Sequence, residues 1–542
     1  MFLTDAGLIY KGIRPLQKLL IGNPFAGLSL PQKTPDHLRV VPPDPWSGDA
    51  QKGRDIVAAI FRFAGQTIEK EDLSWEPAHA CPEWVSELHS FEWLRDLRSA
   101  GGDRARRMAR EMAASWMEMY PKPHDIAWRP DITGLRIAAW ISFHDFFCAS
   151  AGDKFREEYF TSLTKQARHL ARALPGNLSG IPLMQALKGL AYSGLCFDDG
   201  EGRLQQAFKG IKAQIAEQIL PDGAHVSRNP QNTYDFLHIL VDLRTSLTSA
   251  REEVPPELQH AIDRIAPAVK FFRHGDGCFA LFNGAQEGSA GICDSTLMHS
   301  GARGKAMNSL PHCGYDKITQ GRSSLIMDIG LPPAPKYAER VHAGLLSFEY
   351  SFGKDRVFVN CGTSQVAGRW RTLLRSTAAH TAVTLDHRNS CPIESGPGLC
   401  VTRPEVRHKH AEDDDVAMIE ASHNGYVPRY GITHRRCVRL LENGEKLVGE
   451  EQLLGKSGVD FAVRFHLHPN IQASLICGGN EVLLRARSGT GWRFVCDGAP
   501  VALEESVYGG TGETPRRSQQ IVLSGITEGG PTNIPWELKR EK

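Results

Sequence analysis

The chain lacks most of the short patterns that announce a reaction. It has no Gly-rich phosphate loop, no G-x-S-x-G elbow, no zinc-protease helix and no basic stripe with interleaved aromatics. Nucleotide hydrolysis, serine hydrolysis and nucleic-acid binding are therefore unsupported. Net charge is equally scarce. With 63 Lys and Arg against 62 Asp and Glu, the formal charge of +1 gives no global pull toward nucleic acid or an anionic membrane. Any anionic ligand must be held by a local cluster of Arg and His. No uncharged apolar run of about 18 residues occurs, so no membrane span is expected. The N-terminal MFLTDAGLIYKGIRPLQKLLIGNPFAG has no apolar core of roughly 7–15 residues ahead of a small-residue cleavage site. Asp5 and Lys11 interrupt it, and no signal peptide is read there. The 12 cysteines are scattered without a C-x-x-C pair. Several sit in apolar runs (Cys148, Cys361, Cys437), as small buried thiols do, which points to a reducing, cytoplasmic compartment.

What is present is an ordinary globular composition, 41% hydrophobic and 23% charged, in a 542-residue chain. That length exceeds what one hydrophobic core usually serves, so two large domains are expected. Residues 1–50 read as an irregular lead-in, proline-rich over 27–50. From about Gln51 to Phe272, nine runs carry apolar residues three and four apart. They are RDIVAAIFRFAG, PEWVSELHSFEWLRDLRSAG, RARRMAREMAASWMEMY, LRIAAWISFHDFFCASA, KFREEYFTSLTKQARHLARAL, PLMQALKGLAYSGLC, LQQAFKGIKAQIAEQIL, TYDFLHILVDLRTSL and PELQHAIDRIAPAVKFF. Short Gly, Pro and Asp connections predict antiparallel neighbours without intervening strands, in a bundle, a solenoid or a ring of hairpins. Residues 273–310 are rich in Gly, Ser and Ala and read as a crossover. From about Pro311 the period becomes two, with turns such as FGKD, ENGE and GGNE, as a large antiparallel β-sandwich requires.

The most informative stretch is Gly321–Asp386, where MDIGLPP, VHAGLLSFEYSFG, VFVNCGT and RSTAAHTAVTLD follow one another. In that order they resemble the start of the C-terminal β-domain of the heparinase II/III-like polysaccharide lyases. The resemblance implies an α+β two-domain fold: an incomplete (α/α) toroid over 51–300 followed by an antiparallel β-sandwich over 301–542. It also implies cleavage of a uronic-acid-containing acidic glycan, such as a heparin-, heparan- or alginate-like polysaccharide, by β-elimination. The implied compartment is the cell envelope or periplasm, against the reducing one that the cysteines suggest. The alternative is a non-catalytic relative that keeps the scaffold and binds an acidic polysaccharide.

β-Elimination needs a group to neutralise the uronate carboxylate, a base for the C5 proton and an acid for the leaving oxygen. Three clusters are candidates. In Asp222-Gly-Ala-His225-Val-Ser-Arg228-Asn229-Pro230, a tight turn precedes a helix N-terminus, where an anion is favoured. The resemblance carries the neutralising role to Asn229, with His225 and Arg228 as substrate contacts; the other reading is that Asn229 or Ser227 caps the next helix. In Phe271-Phe-Arg273-His274-Gly-Asp276-Gly, His274 oriented by Asp276 is a candidate base and Arg273 a candidate substrate contact. A structural Arg–Asp pair at the domain junction is the rival. The family's catalytic Tyr has no counterpart at the expected distance, where Phe279, Phe282 and Asn283 stand, and Tyr315 is the nearest substitute. In the β-domain, Arg340 stands where family members carry a catalytic His, and it becomes a candidate for the anionic chain. His342, Asn360 and His380 match a family zinc site. An amide in place of the carboxylate costs that site charge and a strong ligand, and a bracing pair of hydrogen-bonded histidines is the alternative. A hydrolase would need a carboxylate pair, for which Asp222 and Asp276 are the only set proposed. Trp128, Arg136 and Trp140 offer a stacking face or a piece of core, and His434-Arg435-Arg436 offers positive charge or a solvated surface.

Overall fold

The computed structural model describes residues 34–541 apart from 70–73, 339, 366–367, 392, 394–403 and 414–415. Of the expected lead-in, residues 1–33 lie outside the described residues. Residues 34–49 run without regular structure to Asp49, whose carboxylate accepts the N–H groups of Gln51 and Lys52 and starts the first helix.

Helices then follow at Ala50–Val57, Pro82–Ser90, Leu94–Ala100, Gly102–Met119, Pro130–Ser142, Asp153–Ala173, Gly180–Cys196, Glu201–Gln218, Pro230–Ser249 and Pro256–Phe271. Their apolar stripes merge into one large core that includes Trp84, Trp116, Trp140, Leu190 and Phe236. The helix Pro130–Ser142 crosses Gly180–Cys196 at two glycines. A Cβ on Gly189 would come within 2.3 Å of the Gly134 Cα, so this close approach requires glycine.

The helical half departs from its sequence reading in several places; the run LRIAAWISFHDFFCASA, for one, is split at Phe143 into the end of Pro130–Ser142 and a short helix His144–Phe147. The run RDIVAAIFRFAG is helical only to Val57, and its second half, Ile60–Phe63, is a strand paired with Gln66–Glu69. Phe61 and Phe63 are buried while Arg62 is exposed, a period of two hidden inside an apparent period of 3.6. Ala64 and Gly65, at φ 46° and 73°, make the turn. The run PEWVSELHSFEWLRDLRSAG breaks at Phe91, which is fully buried at φ 61° and splits it into two helices. Within the supposed crossover lies the helix Ala290–Ser300. Its weak amphipathicity hid it, but its caps are ordinary: the Ser289 side chain accepts the Ile292 N–H, and Gly301 ends it at φ 66°.

The second half is two packed sheets. One has eight antiparallel strands in the spatial order Val406–Glu412, Ala417–His423, Thr433–Leu441, Lys446–Gly455, Gly530–Glu541, Gly491–Cys496, Glu481–Ala486 and Ile471–Ile476. The other runs from Ser309–Leu310 through Tyr315–Gln320, Ser323–Asp328, Phe348–Phe352, Asp355–Val359, Asp460–Leu467 and Arg516–Ile526 to Val501–Gly512. Gly362–Ser364 joins that last strand in parallel, and Val383–Leu385 pairs with Asp460–Leu467. Phe348, Phe358, Phe465, Phe494 and Trp536 fill the space between the sheets. An α-helical domain followed by an antiparallel β-sandwich is the fold the resemblance implied. The helical core does not stop at the junction: Leu310, Cys313, Tyr315 and Ile326 of the β-domain belong to it.

Candidate functional site

The helix Pro230–Ser249 sets out the site. Its N-cap is Asn229, whose Oδ1 accepts the N–H groups of Gln231 at 2.7 Å and Asn232 at 3.2 Å. Pro at the first helical position is pre-set for the turn. The other end of the same amide, Nδ2, donates to the Asn283 carbonyl at 2.8 Å. Asn283 in turn takes the His342 N–H on Oδ1, at 3.1 Å. The capping alternative is thus the observed geometry, and the cap is tied across the junction to the β-domain.

Arg228, at φ 60°, turns its side chain into that junction. It donates to the carbonyls of Cys313 at 2.7 Å and Gly314 at 3.0 Å, pairs with Asp328, and lies over the Tyr315 ring. A Cβ on Gly330 would sit 2.4 Å from its guanidinium, so glycine is needed for the approach. Asp222 receives the N–H groups of His312 and Cys313, both at 2.8 Å. This loop therefore joins the two domains.

A cavity of about 340 Å3 opens beside it, between the toroid and the segment 335–341. Of the residues expected in a site, His225, Asn229 and Arg340 line it, together with Asn283. Arg228, Arg273, His274 and Tyr315 are not among its walls. Tyr315 is fully buried, donating to the Arg228 carbonyl and accepting from Asn283 Nδ2, each at 2.8 Å. Burial first, then the Asp328 charge, hold its phenol well above the usual range. His274 is 4% exposed and clamped by Ser351 Oγ and Glu349 Oε2, each at 2.9 Å. Burial lowers its pKa despite the carboxylate. Arg273 donates to Asp294 and the Gly277 carbonyl, both at 2.7 Å. Asp276 pairs across the junction with Arg356 instead, at 2.9 Å. Asp222 and Asp276, both engaged in this way, do not form a hydrolase pair. His225 reaches the cavity wall but is 1% exposed, and its ring nitrogens meet Ser227 Oγ at 2.7 Å and Gln218 Oε1 at 2.8 Å. Burial pushes it down to about 3, so the ring is neutral.

His342 and His380 do come together, and Asn360 meets the chain at Thr381, the residue after His380. His380 Nδ1 donates to the Ser376 carbonyl at 2.7 Å, which leaves Nε2 as acceptor for His342 Nδ1 at 3.0 Å. Asn360 Oδ1 already takes the Thr381 N–H at 3.1 Å. Two imidazoles paired to each other and an amide oxygen in use do not fit zinc, which wants three or four free donors and favours anionic ones. Among the described residues, no group of three or more His, Cys, Asp or Glu is placed to hold a metal.

Two other candidates are interior. Arg136 is fully buried, 3.9 Å above the Trp116 ring, beside a fully buried Trp140. His434 and Arg436 lie inside the sandwich on Glu451, at 2.7 and 2.8 Å, and only Arg435 of that triplet faces outward.

The cavity also has walls that the sequence reading missed: Gln185, Asn232, Asp235, Lys336 and Tyr337. A signal for two of them exists. Asn229, Asn232 and Asp235 are three apart, so an N-cap assigned to Asn229 puts the other two on one face of a mostly apolar helix. Asp235 accepts Gln231 Nε2 at 2.8 Å. Burial pushes its carboxyl up to about 6, with Glu92 adding to the rise and Gln231 and Arg340 opposing it.

Two family models match, the heparinase II/III N-terminus over residues 50–299 and the heparinase II/III-like C-terminal region over 302–537. FtsZ-localized protein C of Caulobacter vibrioides is 27% identical over 558 aligned positions, covering 98% of this chain and 96% of that one. A crystal structure of heparinase III superposes with a TM-score of 0.75 at 14% identity, over 100% of this chain and 92% of that one. Heparan sulfate lyase HepC from Pedobacter heparinus gives 0.60 at 16% identity, over 91% and 82%. The structural likeness speaks for the fold alone, whereas the two family models together span most of the sequence. The chain belongs to the heparinase II/III-like family.

Proposed function

We propose that this protein binds an acidic polysaccharide in the cleft between its domains and does not cleave it by β-elimination. The observation that carries this reading is the state of the proton-transfer groups. Elimination needs a base and an acid within hydrogen-bond reach of the sugar. Tyr315 and His274 instead spend their polar atoms inside the domain junction, and His225 is held neutral with both nitrogens engaged. What faces the cavity suits binding: carboxamides, hydroxyls and the Arg340 guanidinium. A relative named for localising with FtsZ, and not for a reaction, supports the same reading, and we propose that this chain shares that localisation. The cysteines among the described residues are all free, which supports a reducing compartment for it over the periplasm.

The test is a panel of acidic glycans offered to the full chain. Binding is followed by calorimetry, and elimination by the ultraviolet absorbance of an unsaturated uronate. Saturable binding that Arg340→Ala weakens, with no absorbance growth, is the expected result. Accumulating unsaturated product would refute the non-eliminating reading, and no binding to any member would refute the glycan reading.

A further inference from the structure

We propose that the interdomain cleft is selective for glycans that carry isolated carboxylates among hydroxyl groups, and that it rejects sulfated, densely anionic ones, with Asp235 as the discriminating residue. This rests on the reading that the cleft binds an acidic polysaccharide and goes further by naming which kind.

The argument is a count of charge in the cavity. A polysulfated chain is held by several cations, since each anion that leaves water needs a counter-charge or donor. The cavity has two cationic side chains, Lys336 and Arg340. Lys336 is ion-paired with Glu217, which also accepts the Tyr337 hydroxyl at 2.8 Å. Arg340 makes no hydrogen bond or ion pair with another described residue, so its guanidinium is available for one carboxylate. The adjoining space past Arg340, toward His342, Arg371 and Arg375, measures about 20 Å3, enough for a water and not for a sulfate group. Arg371 there is paired with Glu83 at 2.9 Å, and Arg375 donates to the Val341 carbonyl at 2.9 Å.

Against this single available cation stands Asp235. Its Oδ1 is held by Gln231, and among the described residues its Oδ2 accepts no hydrogen bond. A free carboxylate oxygen accepts well from a sugar hydroxyl and repels a sulfate. Specificity commonly comes from such a repulsive element as much as from attraction. Gln185 and Asn232, whose Nδ2 donates to Ser227 Oγ at 2.9 Å while Oδ1 accepts no hydrogen bond from the described residues, add neutral donors and acceptors. These groups match hydroxyls and amides. The position of Asp235 near 6 means that it is ionised at neutral pH, where the discrimination operates.

The experiment compares heparosan, an unsulfated glycan, with heparin, built on the same type of backbone and heavily sulfated, by calorimetry at pH 7.5 on the full chain. The wild type is expected to bind heparosan at least about tenfold more tightly, one decade in Kd. Asp235→Asn, and independently Asp235→Ser, should shrink that ratio to about threefold or less, chiefly by gaining heparin affinity. Arg340→Ala should weaken binding of heparosan. Equal or tighter heparin binding by the wild type would overturn the proposal, as would an unchanged ratio in both Asp235 variants. Failure to bind either glycan or any other polyuronate would instead overturn the glycan-binding reading beneath it.

Discussion

Replacing Tyr315 by phenylalanine distinguishes a hydroxyl that holds domains together from one that moves protons. In the structure that hydroxyl makes two hydrogen bonds of 2.8 Å, giving its proton to the Arg228 carbonyl and accepting from Asn283 Nδ2. Each is worth a net ~0.5–1.5 kcal/mol, and both partners are buried. The Arg228 carbonyl would keep only a 3.4 Å contact with Asn283 Nδ2. The loss should therefore be about 2–3 kcal/mol, toward the upper end of the summed range. The aromatic ring stays, so the stacking of Arg228 at 4.8 Å is retained and no cavity opens. The assay is urea unfolding monitored by tryptophan fluorescence. A two-domain chain of this size need not unfold in one step, so the first transition is the one to compare. Glycan binding should change by less than about twofold, or ~0.4 kcal/mol. A variant with wild-type stability and binding lost by more than about tenfold would refute the reasoning, because the hydroxyl would then act in the cleft.

Three further outcomes are expected. Asp328→Ala strands the buried Arg228 guanidinium, which should cost ~3–5 kcal/mol by chemical denaturation; a cost below about 1 kcal/mol would show the strut to be idle. Burial holds His225, His466 and His468 at about 3, and His238 and His380 at about 4. Folded values below the unfolded ~6.5 mean that the unfolded chain takes up protons first, so stability is full above ~6.5 and falls by up to ~1.4 kcal/mol per histidine for each pH unit below it; denaturation midpoints that stay flat from pH 7.5 to 5 would contradict this. Purified protein should contain no stoichiometric zinc by elemental analysis and keep its unfolding midpoint in a chelator, and one equivalent of tightly held zinc would overturn the hydrogen-bonded account of His342 and His380.

The architecture was legible because it rests on periodicity, and periodicity survives in a single sequence. Helical runs such as KFREEYFTSLTKQARHLARAL bury the face their spacing marks, and the strand Thr433–Leu441 buries every second residue, although His434 and Arg436 are among those buried. Short elements misled where two periods overlap, as in VAAIFRFA around Ile60, where four residues fit either pattern. The candidate site was harder to read for a different reason. Sequence says which side chains carry chemistry and not which way they turn. Arg228 and Asn229 are adjacent, yet one enters the domain junction and the other caps a helix at the cavity wall. His274 and Tyr315 look like proton-transfer groups until their partners, 75 and 32 residues away, are seen to occupy them. Asp235 was overlooked because it sits inside an apparently apolar helix, although its spacing from Asn229 marks the same face.

The loop from Asp222 to Asn229 fastens the domains, starts a helix and forms part of the cavity wall. Those duties limit how the family can diversify. A change at Asp222 or Arg228 loosens the anchorage that carries the wall residues His225 and Asn229, and a change at Asn229 disturbs both directly. Asn232 and Asp235, one and two turns farther along, and Arg340 across the gap touch the cavity without bearing on the joint. Substitutions at those positions can therefore alter what the cavity binds while the framework stays put.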